Sequence, residues 1–81
     1  MNLTLYTGPQ CALCEDALEL LYTTLPLGSY QLTKVDVSAS LELKKAYGLR
    51  IPVLRNMDRD LELNWPFDQD QLMKFCELGA L

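Results

Sequence analysis

Leu3 and Leu5 alternate with Asn2, Thr4 and Tyr6 near the start of the chain, which is the two-residue period of a strand. From Cys14 the period lengthens. Cys14, Ala17, Leu18, Leu21 and Leu25 recur at helical spacing, with Glu15, Asp16 and Glu19 at the polar positions. Pro26 stops that helix, because the residue ahead of a proline avoids helical geometry, and Leu27-Gly28-Ser29 reads as a turn. Residues 30–37, rich in Val, Leu, Thr and Tyr, predict a second strand. Ser38 or Ser40 can cap a short helix running through Tyr47, and Gly48 suits its C-terminal end. A third strand is expected over 51–55, entered through Pro52, then a turn at 56–59 and a fourth strand at 60–64. After Trp65-Pro66-Phe67, Asp68 with Gln71 three positions on has the pattern of a capping box. It opens a last helix that carries Leu72, Phe75 and Cys76 on one face.

The resulting order is βαβ followed by ββα. A strand–helix–strand unit implies a parallel pair, and the tight connection at 55–60 implies an antiparallel hairpin. The pattern therefore predicts an α/β fold with a four-stranded mixed sheet flanked by three helices. At 81 residues the chain is expected to form one domain, 1–81, with a single modest core. Hydrophobic residues at 49% and charged ones at 22% argue against disorder.

Charge narrows the function classes. The net charge is −4, and the seven basic residues are scattered from Lys34 to Lys74 rather than clustered, so nucleic acid is set aside as a partner. No apolar run approaches the length of a membrane span, and the chain opens directly into a strand. A cytoplasmic monomer with no membrane partner is the expectation. Three cysteines cannot all pair within one chain, and two at close spacing favour redox or metal chemistry over a structural framework.

Those two are Cys11 and Cys14, separated by Ala12-Leu13 and placed where the first strand gives way to a helix through Thr7-Gly8-Pro9-Gln10. Unpaired N–H groups at a helix start favour a thiolate on Cys11, and Cys14 lies one turn along, near enough to close a disulfide. An attacking thiolate with a resolving neighbour is the minimum machinery of thiol–disulfide exchange. Two alternatives come from other classes. Cys11 can ligate a metal or iron–sulfur cluster shared across a dimer, since one chain without histidine offers only Cys76 besides. The domain can also be a partner-binding module without turnover.

Cys11-Ala12-Leu13-Cys14 after the first strand, Ile51-Pro52-Val53 opening the third, and the βαβ–ββα order together resemble the thioredoxin fold in its smallest, glutaredoxin-like form. The stretches 6–15 and 48–54 resemble the short bacterial glutaredoxin-like proteins in particular, and the resemblance spans essentially the whole chain. It implies a disulfide oxidoreductase with Cys11 as nucleophile and Cys14 as resolving thiol. It also implies that the Ile51–Pro52 bond is cis, against the usual trans preference, and that Pro52 stacks on the cysteine pair. Ile51 would offer its backbone to a substrate docked as an extra strand. Asp68 stands roughly where the family's substrate-contacting aspartate does, and Arg50, by its own charge, is a further candidate substrate contact. The implied partners are a disulfide-containing protein or small thiol, and a reductase where one supplies electrons. No bound cofactor is implied, although glutathione is a possible reductant.

The chain departs from the glutathione-binding pattern. Arg50-Ile51-Pro52 stands in place of Thr-Val-Pro, and Asn64-Trp65-Pro66-Phe67-Asp68 in place of a Gly-Gly before the last helix. Pro66 lacks a backbone donor, and Trp65 and Phe67 are bulky where close backbone approach is needed, so weak glutathione recognition is expected. Trp65 and Phe67 are expected to pack beneath the helix end in preference to lining a groove. Cys76 is expected in the core, and Glu15, Asp16, Glu19, Lys44 and Lys45 on wet helix faces. Arg50 is either a partner of a substrate carboxylate or of the Cys11 thiolate, or a solvated charge. No cation precedes Lys34 in sequence, which leaves Arg50 as the expected cation near the pair.

Overall fold

In the computed structural model, which describes residues 1–26 and 28–80 with side chains as far as Cys76, β1 (Asn2–Thr7) is the strand around which the rest assembles. It lies between β2 (Gln31–Asp36), to which it is parallel, and β3 (Val53–Asn56), to which it is antiparallel. β4 (Leu61–Asn64) completes the sheet, whose order is β2-β1-β3-β4. The parallel β1–β2 pair requires a crossover, supplied by α1 (Ala12–Thr24). Among the described residues, a single turn of 3-10 helix (Val37–Ala39), α2 (Leu41–Tyr47) and α3 (Gln69–Ala80) make up the remaining helical structure. The mixed α/β sheet of four strands with three α-helices is the architecture expected from the sequence pattern. Among the described residues, no helix is long and apolar enough to cross a membrane.

Both faces of β1 are buried. Leu3 and Leu5 point into the larger core with Ala17 and Leu21 of α1, Leu54 of β3 and Leu72 and Phe75 of α3. Tyr6 points the other way, into a second cluster with Val37, Tyr47 and Val53. The alternation that reads as apolar-in, polar-out is therefore apolar on two sides at this end. The covering element is α2, whose Tyr47 ring stacks on Tyr6 at 4.1 Å between centroids and 11° between planes. Offset-stacked aromatic pairs add about 0.5–1.5 kcal/mol beyond their burial.

Local signals set most boundaries. Leu25 caps the end of α1, its N–H bonding the Leu21 carbonyl at 3.0 Å. Of the expected turn, Leu27 lies outside the described residues; Gly28 takes a left-handed φ of +88°, and the Ser29 N–H donates to Pro26 O. Ser40, not Ser38, caps α2, accepting the Leu43 N–H at 3.4 Å. Ser38 belongs instead to the preceding 3-10 turn, where the Asp36 carboxylate accepts both its N–H and its hydroxyl at 2.8 and 2.7 Å. Those two bonds hold the Asp36 carboxyl below its ordinary pKa. Gly48 does end α2, but with right-handed geometry (φ −54°), so left-handed freedom is not what it supplies. The β3–β4 turn sits one residue later than expected. Asn56 is the last residue of β3, fully buried, and its side-chain oxygen accepts the Asp58 and Arg59 N–H groups. Asp60 takes a left-handed φ of +54° and its carboxylate pairs with Arg55.

The start of α3 forms the reciprocal cap. Gln71 N–H donates to Asp68 Oδ1 at 2.8 Å, and Asp68 N–H donates to Gln71 Oε1 at 2.9 Å. Beyond it Leu72, Phe75 and Cys76 are buried on one face, as their spacing predicts. Replacing Asp68 by Ala should cost about 1 kcal/mol of stability, while Asp68→Asn should retain most of it. Urea unfolding of the two variants checks this, and an equal loss in both would rule out the carboxylate oxygen as the element that matters.

Candidate active site

The chain leaves β1 at Thr7 and reaches α1 in four residues. Gly8 allows a close approach within this loop: a Cβ there would come within 2.7 Å of Ile51 Cδ1. Gln10, directly before Cys11, holds a left-handed φ of +54°, uncommon for a residue with a side chain. Cys11 itself is the N-cap of α1. Its φ of −105° and ψ of 97° are extended, and its Sγ accepts the Cys14 N–H at 3.1 Å. A sulfur thus does what Ser or Asp usually does at a helix start, satisfying one of the otherwise unpaired N–H groups.

Cys11 and Cys14 are joined as a disulfide, with Cα atoms 5.2 Å apart, within the ordinary span. The two sulfurs are not equivalent in access. Cys14 is buried on the apolar face of α1, whereas Cys11 is half-exposed at its tip. Leu13 between them is exposed. Cys76 is free and buried in the main core, where burial pushes its thiol pKa up. Among the described residues, no group of three or more His, Cys, Asp or Glu side chains converges as metal ligands do.

A cleft of about 170 Å³ opens beside the pair between β1, β2 and the first turns of α1. Cys11 and Cys14 both line it, together with Thr7, Gln10, Glu15 and Lys34. Lys34 is the residue that sequence reasoning missed as a neighbour of the cysteines. The parallel register pairs Lys34 with Leu5, so it emerges on the face that α1 covers. This corrects the expectation that Arg50 is the one cation the fold can bring near the pair. Arg50 has other partners: its guanidinium lies 5.0 Å from the Tyr47 ring centroid, bonds Asn64 Oδ1 and Ala46 O at 3.3 Å each, and approaches Glu62 at 3.8 Å. Glu62, Tyr6 and above all burial raise the Tyr47 pKa.

The segment 50–52 abuts the loop ahead of the cysteines through the Gly8–Ile51 approach. The Ile51–Pro52 bond is cis, as the resemblance implies. Pro52 is fully buried, and its carbonyl accepts the Trp65 N–H at 3.3 Å. The Ile51 N–H is engaged by the Tyr47 carbonyl at 3.1 Å. Asp68 lies apart from the cleft, its carboxylate occupied by the α3 cap. Trp65–Pro66 is a second cis bond that the sequence pattern did not anticipate. Phe67 is buried under α3, and Trp65 meets it edge-on at 5.1 Å, the packing role expected of both.

The family model described as Glutaredoxin-like domain (DUF836) matches residues 2–77. A structural-genomics target protein, XcR50 from X. campestris, is similar at 38% identity, with 94% of this chain and 96% of that one covered and a TM-score of 0.81. Thioredoxin 1 from Thermosipho africanus, at 12% identity with both chains covered in full and a TM-score of 0.62, shares the fold. No curated protein sequence matches the chain significantly.

Access and burial order the three thiols. In the reduced protein, limiting iodoacetamide should label Cys11 first and Cys76 last, with Cys76 reacting appreciably only at pH above the free-thiol range. Peptide mass mapping reads the order, and early labelling of Cys76 would contradict its burial.

Proposed function

The chain belongs to the glutaredoxin-like (DUF836) family, and from that premise we propose that it is a thiol–disulfide oxidoreductase with Cys11 as nucleophile and Cys14 as resolving thiol. One observation carries the reading: the two cysteines are bonded at the start of α1, the outer one half-exposed and the inner one buried. An N-cap sulfur is held where a negative charge is favoured by the helix terminus. A Cys14 sulfur one turn along can reach Cys11 and no bulky substrate directly.

The exchange proceeds in two displacements. The Cys11 thiolate attacks one sulfur of a substrate disulfide, forming a mixed disulfide and expelling the other substrate sulfur as a thiolate. Cys14 then loses its proton, and its thiolate attacks Cys11 Sγ, releasing the second substrate thiolate and leaving the Cys11–Cys14 bond. Two electrons pass from the pair to the substrate, and an external thiol or a reductase returns them. The substrate is a disulfide of a protein or of a small thiol, met by a monomer in the cytoplasm. Ile51 faces the docked chain with its carbonyl as the backbone contact, the buried Pro52 supports it from beneath, and Arg50 flanks it over Tyr47. Asp68 contributes through the helix it caps.

Glutathione fits this site poorly. Pro66 has no N–H to give, the Trp65 N–H is committed to Pro52, and Phe67 fills the core where a flexible loop would be needed. The protein should therefore reduce glutathionylated substrates far more slowly than a typical dithiol glutaredoxin does.

The roles are tested by trapping with a model aromatic disulfide and dithiothreitol as reductant. Wild-type protein should accelerate the reduction, and Cys11→Ser should abolish the acceleration. Cys14→Ser, mixed with the disulfide in the absence of dithiothreitol, should accumulate a stable mixed disulfide on Cys11, and Cys76→Ala should turn over normally. Full activity in the Cys11→Ser protein would remove the exchange mechanism.

A further inference from the structure

Lys34 reaches the cysteine cleft from a segment far from the cysteines in sequence. β2 runs parallel to β1 with Lys34 opposite Leu5, and Leu5 faces the core beneath α1. The Lys34 side chain therefore leaves the sheet edge on the α1 side, where Lys34 lines the same cleft as Cys11 and Cys14. The charged groups facing that cleft are few. α1 supplies Glu15, β2 supplies Lys34, and β1 with the loop after it supplies Leu5, Thr7, Gly8 and Gln10, none of them charged. Asp36, two residues along β2, has its carboxylate bonded to the Ser38 N–H and hydroxyl. Asp16 and Glu19 of α1 are exposed and outside the lining. Among the described residues, Lys34 sits in no ion pair, so no carboxylate in direct contact consumes its charge.

We propose that Lys34 is the positioning residue that stabilises the Cys11 thiolate across this cleft, with Glu15 as the opposing charge. The inference rests on the exchange roles given above. When an external dithiol reduces the pair, two electrons enter the sulfur–sulfur bond and the dithiol becomes a disulfide, giving up two protons, one to Cys14 and one to water, so that Cys11 is left as a thiolate. That thiolate accepts the Cys14 N–H and faces the Lys34 ammonium. An opposite charge nearby favours the ionised form and a like charge disfavours it. Because both side chains are exposed, each effect is modest and sensitive to salt.

The test is the pH dependence of iodoacetamide alkylation at Cys11 in the reduced full chain, with the modified cysteine assigned by mass. At pH near 7, Lys34→Met should slow Cys11 alkylation about threefold, equivalent to a rise in thiolate pKa of about half a unit. Lys34→Arg should restore the wild-type rate, and Glu15→Gln should raise the rate. Differences among the four proteins should collapse in about 1 M salt, where screening acts over a few ångströms. Lys34→Gln gives the same comparison should the methionine variant fold poorly. Unchanged rates in both Lys34 variants, an arginine variant as slow as the methionine one, or a loss that persists in high salt would each overturn the proposal. Alkylation falling on Cys14 first in wild type would overturn the cysteine roles themselves, whatever the Lys34 variants do.

Discussion

The constraint on which the structure depends is the burial of β1 on both faces. Leu5 is wholly buried on one side and Tyr6 is 6% exposed on the other. Full burial of such side chains contributes about 1.5–3 kcal/mol each. A register slip of one residue would drive each set into the wrong core, so the strand has one acceptable position. That position decides where Thr7 ends and where Cys11 begins the helix. It also fixes the partners on either side, Lys34 through the parallel register and Val53, next to Pro52, through the antiparallel one. The site is therefore assembled by the sheet, not by the loop that carries the cysteines.

A second coupling runs through the helix start. Ser, Thr, Asp and Asn are the usual N-caps because their oxygens accept well. Sulfur in a disulfide is a weak acceptor, and a thiolate is a strong one. The bond from the Cys14 N–H to Cys11 Sγ thus strengthens when the disulfide opens and charge appears on Cys11. The same change places that charge at the positive end of α1, although Glu15 in the first turn works against it. Stability of the helix start and acidity of the thiol are two readings of one contact.

What the sequence made legible was what short-range physics controls. The strand alternation of Leu3 and Leu5, the stop at Pro26 and the Asp68–Gln71 capping box each involve residues a few positions apart, and each appears in the structure. The cysteine pair was legible for the same reason. The misses are non-local or statistical. Lys34 enters the site only through strand register, which a residue-by-residue reading does not resolve. Tyr6 looks like the polar side of a strand until α2 is known to cover it. Ser38 loses the α2 cap because the Asp36 carboxylate claims its N–H and hydroxyl. Pro66 is cis where composition alone favours trans. For Arg50 the pattern left two options open; the fold gives its guanidinium four neighbours on the α2 side of the sheet.

The disposition of backbone donors bears on selectivity under the proposed exchange. Around the cis proline, the Ile51 N–H is turned back to Tyr47 and the Trp65 N–H to Pro52. A ligand that depends on several fixed N–H groups, as a small peptide thiol does, finds few to meet. Outward apolar side chains flank each segment: Leu13 between the cysteines is half-exposed, and Leu49 ahead of Arg50 is fully exposed. Scattered apolar contacts of this kind discriminate weakly among chains, because they carry little directional information. Weak non-covalent affinity is no handicap to a disulfide exchanger, whose substrate is held by a covalent bond between the two displacements. Rate then depends on how readily Cys11 ionises and how promptly Cys14 follows. Both are set by groups belonging to the chain itself: the N-cap geometry, the burial of Cys14 and the charges at the cleft.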